Sequence, residues 1–343
     1  MCREKNVIIP DLNRHNALSF CANTYDFTGY DKVTFDFSFA IHYEPFAMLI
    51  VASKLRSIMA LNNFCKFYVV SYDKSYPKTM GFFQGFGVDV GKKPGEAPGS
   101  ANYIPLTEIS FKSLNAQSYA EGNIPTQQII ENESHRLAHI LVSNNDKAAN
   151  ILGYSLREIL RNAYEHSTAK AVWIAAQKWP KIGRVEIAIL DEGVGVKQAI
   201  SFNPNINVPT HKDALFLAME PGVSGKAFRY KGKERPQDPS GWGNSGYGLF
   251  VTSEMCRRYG EFIICSGDAA IDLRKGEHYR ELDCNFQGTA IMMSLDINEL
   301  VHVNDDLLQQ IISLGENQAR ENKLVPNAVF SASKVSRILK RTE

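Results

Sequence analysis

The first hundred residues carry apolar side chains in strand and helix patterns that follow one another. Residues 33–37 have the period of two typical of a half-buried strand, and residues 67–71 form another apolar strand pattern. Between them, residues 46–61 have apolar side chains at helical spacing directly after Pro45, a residue suited to a helix start. The order strand, helix, strand predicts an α/β unit. Residues 91–100 are dense in turn residues, and we expect a loop there.

The rest of the chain repeats this mixture of patterns. Residues 126–152 predict an amphipathic helix. Residues 201–240 are rich in proline, glycine and lysine, and a segment of this length predicts an irregular lid over a functional site. The remaining elements expected from apolar periodicity are helices over 156–167 and 249–259, and strands over 185–190, 262–265 and 289–295.

Composition limits the classes of protein that fit these patterns. A length of 343 residues favours two domains, and 38 basic against 37 acidic residues give a net charge of +1, too little for a general nucleic-acid-binding surface. None of the six cysteines forms a C-x-x-C pair, and the longest apolar stretch, residues 46–52, is far below the ~20 residues that cross a bilayer. We therefore expect a cytoplasmic protein with neither nucleic-acid nor membrane partners.

Two acidic motifs carry candidate chemistry. Glu158 and Asn162 lie four residues apart on the predicted helix, with His166 one turn further, so an amide could hold a divalent metal while a carboxylate activates water. An exposed polar helix face is the alternative interpretation. Asp191-x-Gly193-x-Gly195 directly follows a strand, where a buried carboxylate can accept a hydrogen bond from an amine such as that of adenine. A tight turn is the alternative there.

A glycine-rich segment over residues 241–248 precedes the predicted helix at 249–259. Exposed backbone N–H groups together with the positive end of a helix would bind phosphates. The segment is neither a Walker loop, since no Gly-Lys-Ser/Thr follows, nor a dinucleotide fingerprint, since no strand with a terminal acid lies at the required distance. The sequence therefore points to a different nucleotide-binding fold.

The order of these motifs resembles the gyrase, histidine kinase and MutL (GHKL) superfamily of ATPases. Glu158-x-x-x-Asn162, Asp191-x-Gly193-x-Gly195, a lid, Gly246-x-Gly248-Leu249 and Gly288-Thr289 follow one another over about residues 125–298. The resemblance implies the Bergerat fold, a two-layer α/β sandwich in which helices cover a mixed sheet, preceded here by a smaller α/β domain.

The resemblance also implies site residues and cofactors, namely ATP and Mg²⁺. In this interpretation Glu158 is the general base, Asn162 holds Mg²⁺ and Asp191 recognises adenine. The remaining residues implied to contact the nucleotide are Gly193 and Gly195 at the base, Gly243, Gly246, Gly248 and Leu249 around the phosphates, and Thr289 at the adenine end.

Some positions differ from the kinase-type members of the superfamily. Asn244 occupies the first position of their Gly-x-Gly-x-Gly phosphate loop, and His135 is followed by Arg136 rather than by the acidic residue of a phosphoacceptor site. We therefore interpret His135 as an ordinary helix residue. The lid lysines that could contact phosphate are Lys212, Lys226, Lys231 and Lys233.

The expected domains are residues 1–115, 116–300 and 301–343. The first is similar to a STAS domain, but residues 43–46 read Tyr-Glu-Pro-Phe in place of the Asp-Ser-Ser-Gly phosphoacceptor. We interpret it as a partner-binding or sensing domain, or as a structural cap on the ATPase. Residues 116–300 would bind ATP, and residues 301–343 would form a helical extension.

The functional expectation is a Mg²⁺-dependent ATPase whose nucleotide state orders the lid and controls binding of a protein partner. Superfamily members commonly dimerise, so a homodimer is one expected arrangement. Two alternatives stay open: a protein serine/threonine kinase of the anti-sigma-factor type, and a non-catalytic scaffold that is gated by the nucleotide.

Overall fold

The structure is a computed structural model that describes residues 3–142, 145–230, 233–234, 245–321 and 328–333. The helices are α1 (Arg14–Ala22), α2 (Pro45–Leu61), α3 (Ser75–Thr79), α4 (Phe82–Gly85), α5 (Phe111–Ala120), α6 (Thr126–Leu141), α7 (Asp146–His166), α8 (Gly195–Ser201), α9 (His211–Ala218), α10 (Gly248–Tyr259), α11 (Ile297–Leu300) and α12 (Leu307–Glu321). The strands are β1 (Glu4–Ile8), β2 (Lys32–Asp36), β3 (Lys66–Val70), β4 (Tyr103–Ser110), β5 (Ala171–Trp179), β6 (Arg184–Asp191), β7 (Arg229–Tyr230), β8 (Lys233–Glu234), β9 (Gly260–Arg274) and β10 (Arg280–Asp296).

The N-terminal region forms a parallel three-stranded sheet in the order β1-β2-β3. Helices α1 and α2 make the connections between successive strands, as parallel neighbours require. This confirms the predicted strand, helix and strand, of which the helix begins at Pro45. Strand β1 and helix α1, for which we had no prediction, complete the unit.

The larger sheet has five strands in the order β4-β5-β6-β10-β9. The α/β class is confirmed, but every neighbouring pair in this sheet is antiparallel, whereas the resemblance implied a mixed sheet. The reason is local. Strands β5 and β6 are joined by a short turn over 180–183, and β9 and β10 by a turn over 275–279, connections that produce antiparallel hairpins.

Both faces of the five-stranded sheet are buried. Along β6, Ile187 and Ile189 face a core formed with α6, α7, α10 and α12, while Ala188 and Leu190 face a core formed with α1 and α2 of the N-terminal region. The N-terminal region therefore covers the second face of the sheet. Strand β4 is an edge strand of this sheet, although it precedes the expected domain boundary at residue 115.

The boundary predicted between the helices over 126–152 and 156–167 is wrong. Helix α6 ends at Leu141 and α7 begins at Asp146, so the first helix is shorter and the second helix is longer than predicted. Asn145 caps α7 by accepting a hydrogen bond from the backbone N–H of Ala148 at 3.0 Å. Apolar residues on both sides of the break face the same core, and this hid the break from periodicity.

Two other predictions need correction. The 201–240 segment is not wholly irregular, because α9 lies within it and is capped by the side chain of Thr210. The strands predicted over 262–265 and 289–295 are parts of the longer β9 and β10. Within the described residues, we find no helix with the length and apolar character needed to cross a membrane.

Helix α2 offers a matched pair of substitutions that tests its burial. Leu55 is fully buried in the core shared with the sheet, while Leu61, at the end of the same helix, is 78% exposed. We expect Leu55→Ala to lower the free energy of unfolding by about 2–5 kcal/mol, because it leaves a cavity, and Leu61→Ala to change it by less than about 0.5 kcal/mol. Urea unfolding measures both. Equal effects of the two substitutions would contradict this packing.

Candidate functional site

One cavity lies between α7, the end of β6, α8, the start of α10 and β10. It encloses about 840 Å³ of space, which includes open solvent, and its walls are mainly apolar. Eight residues singled out from the sequence line it: Asn162, His166, Asp191, Gly195, Gly246, Gly248, Leu249 and Thr289. The fold therefore brings together residues that are up to 127 positions apart (289 − 162).

Asp191 is the last residue of β6 and lies opposite Thr289 of β10. Its Oδ1 accepts a hydrogen bond from the backbone N–H of Gly193 at 3.0 Å. Burial raises the pKa of Asp191 from 3.8 to about 6, and hydrogen bonds from Gly193 and Thr289 oppose the shift. A buried carboxylate at a strand end can select a ligand by accepting a hydrogen bond from an amine.

The turn after β6 passes very close to the end of α7. Val194 donates its backbone N–H to the carbonyl oxygen of Ser167 at 2.8 Å. A Cβ at Gly193 would overlap that same oxygen, so only glycine fits at this position. Gly193 does not itself line the cavity. Its contribution is to let the turn lie against α7.

Ser266 of β9, which bonds to Val196 of the cavity wall, was missed by the sequence analysis. Its Oγ donates to the carbonyl oxygen of Gly288 at 2.7 Å and accepts from the backbone N–H of Val196 at 3.0 Å. This hydroxyl thereby joins β9, β10 and the start of α8 around Asp191. The sequence signal that could have identified Ser266 is its position directly after the apolar strand pattern at 262–265.

Helix α7 presents Asn162 and His166 to the cavity, one turn apart. Burial, with Lys226 and Arg161 nearby, lowers the pKa of His166 to about 4, so its imidazole is neutral at pH 7. Lys226 donates from Nζ to the backbone carbonyl of Glu165. The ammonium of Lys226 therefore lies beside the part of α7 that faces the cavity.

Helix α10 begins at Gly248 and points its N-terminus at the cavity. A helix of 12 residues offers unpaired backbone N–H groups and partial positive charge at this end. Before it, Gly246 accepts a hydrogen bond from the backbone N–H of Gly222 at 3.1 Å. The end of the glycine-rich segment is thereby held against the residues that follow α9.

Glu158 does not line the cavity, unlike Asn162 on the same helix. Its Oε1 accepts two hydrogen bonds from Arg157, at 2.8 and 3.1 Å, and both side chains are buried. Its Oε2 lies against Gly248, where any side chain would overlap the carboxylate. Arg157 also approaches Glu131 at 3.7 Å. The carboxylate is thus directed at the start of α10 and is engaged by a neighbouring cation.

The remaining candidate residues either lie away from the cavity or fall outside the residues that the structure describes. Gly243 and Lys231 fall outside the described residues, as does the side chain of Lys233. Lys212 is exposed and pairs with Glu281 at 3.1 Å. Among the lid lysines whose side chains are described, only Lys226 lies beside a residue of the cavity.

The donors at the cavity fit Mg²⁺ that is held mainly by phosphates. In the described parts of the chain, no group of three or more histidine, cysteine, aspartate or glutamate side chains could hold a metal by itself. Mg²⁺ commonly keeps several waters and takes one or two protein ligands together with substrate phosphates. Asn162 lines the cavity, and its amide group carries an oxygen that suits that limited role.

Comparison with protein-family models and with curated proteins found no match to this chain.

Arg157 offers a direct test of the buried cluster beside the cavity. Its guanidinium is 2% exposed and faces the two buried carboxylates of Glu158 and Glu131. We expect Arg157→Ala to lower the free energy of unfolding by about 3–5 kcal/mol, because it leaves buried charges without a partner. Chemical denaturation at pH 7 measures the loss.

Arg136→Ala is the matched control, since Arg136 is 58% exposed and pairs with Glu133 three residues before it on α6. We expect this substitution to cost no more than about 1 kcal/mol. A loss for Arg157→Ala as small as that of the control would show that the buried cluster is not charged as described.

Proposed function

We propose that the chain binds MgATP in this cavity and acts as an ATPase of the GHKL type. The observation that carries the proposal is the meeting of Asn162, Asp191, Gly248 and Thr289 around one apolar cavity. Those residues come from a helix, a strand end, a second helix start and a second strand, and the cavity combines an acceptor, an amide and a positive helix end. A nucleotide matches all three groups, since it carries a base amine, a metal ion and phosphates.

The residues of each cavity wall indicate where the adenine base and the phosphates of the nucleotide would lie. Asp191 would accept a hydrogen bond from the adenine amino group, between the apolar side chains of Ile189 and Ile291. The phosphates would lie at the start of α10, where N–H groups and the helix dipole favour negative charge. Asn162 would hold the Mg²⁺, which neutralises phosphate charge when bound.

The segment over 201–240 supports a lid that responds to the nucleotide. Its described residues Val223, Ser224 and Gly225 form part of the cavity wall, and Lys226 lies next to them. We expect phosphates to draw the Lys226 ammonium from the Glu165 carbonyl, because a charged acceptor binds it more strongly. Rearrangement of this segment would then change the surface offered to a protein partner.

Calorimetric titration with MgATP tests the binding site. Loss of a hydrogen bond to a charged acceptor costs about 1.5–3 kcal/mol, so we expect Asp191→Asn to weaken MgATP binding by about 10- to 100-fold. Asn162→Ala should weaken it as well, and more with Mg²⁺ than without. Asp268→Asn is the matched control, because Asp268 is exposed on the neighbouring strand β9 and should leave binding unchanged.

The raised pKa of Asp191 predicts how that difference depends on pH. The ionised carboxylate accepts a hydrogen bond from the adenine amine more strongly than the protonated carboxyl does, so wild-type affinity falls as the pH falls through about 6. The ratio of wild-type to Asp191→Asn affinity should shrink by up to about tenfold between pH 7 and pH 5. The stability of the unliganded protein depends on pH in the opposite direction. Because the pKa of this carboxyl is raised from 3.8 to about 6 in the folded state, its contribution to the free energy of unfolding decreases as the pH rises from 3.8 to about 6. An unchanged ratio would exclude Asp191 as the acceptor.

Hydrolysis is assigned to Glu158, whose Oε2 faces the start of α10. If this carboxylate orients the attacking water, Glu158→Gln should slow phosphate release by about 100-fold or more, with little change in MgATP affinity. Glu277→Gln, on an exposed residue paired with Arg280, serves as the control. Release of phosphate at equal rates by wild type and Glu158→Gln would remove Glu158 as the base.

A non-catalytic, nucleotide-gated scaffold is the second candidate. It is favoured by the pairing of Glu158 with Arg157 and by the absence of Glu158 from the cavity lining. This candidate predicts MgATP binding without phosphate release in the wild type. Using γ-labelled ATP separates the outcomes, since label in inorganic phosphate indicates hydrolysis and label on an added protein indicates the kinase alternative.

A further inference from the structure

A second cavity lies on the other face of the five-stranded sheet, where α2 meets the end of β6 and an irregular part of β10. It encloses about 1360 Å³ of space, again including open solvent. Its polar lining includes Tyr25, Lys54, Arg56, Ser57, Glu192 and Gln287. None of these residues belongs to the proposed nucleotide site.

Lys54 is the unusual group in this cavity. Its Nζ donates to the backbone carbonyl oxygens of Cys21 at 2.8 Å and Asn285 at 3.4 Å. Among the described residues, no carboxylate lies within ion-pair distance of it, although the side chain is half buried. Burial lowers the pKa of Lys54. A cation removed from water without a counter-charge is costly, and such an arrangement favours an anionic ligand.

The other charges in the cavity do not supply that counter-charge. Glu192 accepts hydrogen bonds at Oε1 from Ser53 at 2.6 Å and from Arg56 at 2.5 Å. The guanidinium of Arg56 also lies over the ring of Trp173, with 4.5 Å between its Cζ atom and the ring centroid. Glu192 is therefore neutralised by Arg56, and the charge of Lys54 remains as the excess in a cavity with two cations and one carboxylate.

The backbone of β10 is irregular where it forms the cavity. Its register with β9 shifts between Asp283 and Phe286 and again between Phe286 and Ala290. Irregular strand segments of this kind are common beside binding sites, because they redirect side chains and free backbone groups. Asn285, Phe286 and Gln287 of this irregular part line the cavity beside α2.

We propose that this second cavity binds a small anion carrying a phosphate group, with Lys54 as its principal cationic contact. A phosphate offers acceptors in several directions, which suits an ammonium, the exposed Ser57 hydroxyl and the Gln287 amide arranged around one space. A carboxylate offers two oxygens in one plane and would leave more of these donors unpaired. The donors therefore favour phosphate.

Residues of the second cavity are adjacent in sequence to residues at the first cavity, so a bound anion could affect the first site through the backbone. Glu192 directly follows Asp191, and Gln287 directly precedes Gly288, whose carbonyl oxygen accepts from Ser266 beside the first cavity. An anion that attracts Arg56 would weaken its hold on Glu192. Occupancy is thereby expected to alter the affinity for MgATP, a consequence that rests on the proposed function.

Calorimetric or phosphorus NMR titration with inorganic phosphate tests the site directly. We expect saturable binding to the wild type, weakened at least about tenfold by Lys54→Met and retained by Lys54→Arg. Lys212→Met is the matched control, because Lys212 is exposed and paired with Glu281. Ser57→Glu removes no described contact and adds a negative charge to the cavity, so it should also weaken phosphate binding, even if Lys54→Met fails to fold.

Further titrations separate the two cavities. Acetate should bind more weakly than phosphate to the wild type, and Asn162→Ala should retain phosphate binding, because Asn162 lines only the first cavity. Absence of phosphate binding, or equal binding by wild type and Ser57→Glu, would overturn the proposal. So would loss of all phosphate binding in Asn162→Ala.

A last titration measures MgATP affinity with and without saturating phosphate. We expect a change of at least about threefold in the wild type that is smaller in Ser57→Glu. Competition at the first cavity would affect both proteins equally, and that result would overturn the coupling. Failure of MgATP to bind either protein would reject the proposed function while the phosphate titrations still decide the second cavity.

Discussion

The arrangement around the first cavity depends on one close approach, between the turn after β6 and the C-terminal end of α7. The backbone N–H of Val194 bonds to the Ser167 carbonyl oxygen, and Gly193 lies too close to that oxygen for any side chain. This contact holds the end of the strand against the end of the helix. This contact supports the arrangement in which Asp191 of β6 lines the same cavity as Asn162 and His166 of α7.

Burial controls the charges on either side of this contact. Loss of water raises the pKa of Asp191 and lowers the pKa of His166, so both groups are shifted toward their neutral forms. Farther along α7, Arg157 and Glu158 are also buried, but they stay together as an ion pair. The helix therefore combines an apolar, weakly charged wall with a compact charged cluster, and Gly248 lies against that cluster.

The five-stranded sheet connects the first cavity to the N-terminal region. Alternate residues of β6 enter two different cores, and the buried Glu186 of the same strand accepts hydrogen bonds from Arg184 and from the backbone N–H of Phe46 in α2. Burial raises the pKa of Glu186 to about 7. Because α2 contacts the strand that ends at Asp191, the N-terminal region is built into the support of the site rather than attached beside it.

Local patterns in the sequence were sufficient for the elements whose signals are local. The alternation at residues 33–37, the Pro45 helix start and the turn-rich residues 91–100 predicted structure correctly, and the ordered motifs named Asn162, Asp191, Gly246 and Thr289 before their proximity was known. The nucleotide roles of these residues stay a prediction. Strand β5 gave no clear alternation, because small and apolar residues on both of its faces are buried.

Only the tertiary structure decided the features that depend on contacts between distant segments. It set the end of α6 at Leu141 and the start of α7 at Asp146, made the large sheet antiparallel and brought Ser266 to the carbonyl of Gly288. It also turned Glu158 toward Arg157 and left Lys54 without a carboxylate in the part of the chain that is described. The reason is that hydrophobic periodicity indicates only which side of a helix or strand is buried. Packing between elements far apart in sequence determines which residues become neighbours, and therefore which charges pair and what shape a cavity has.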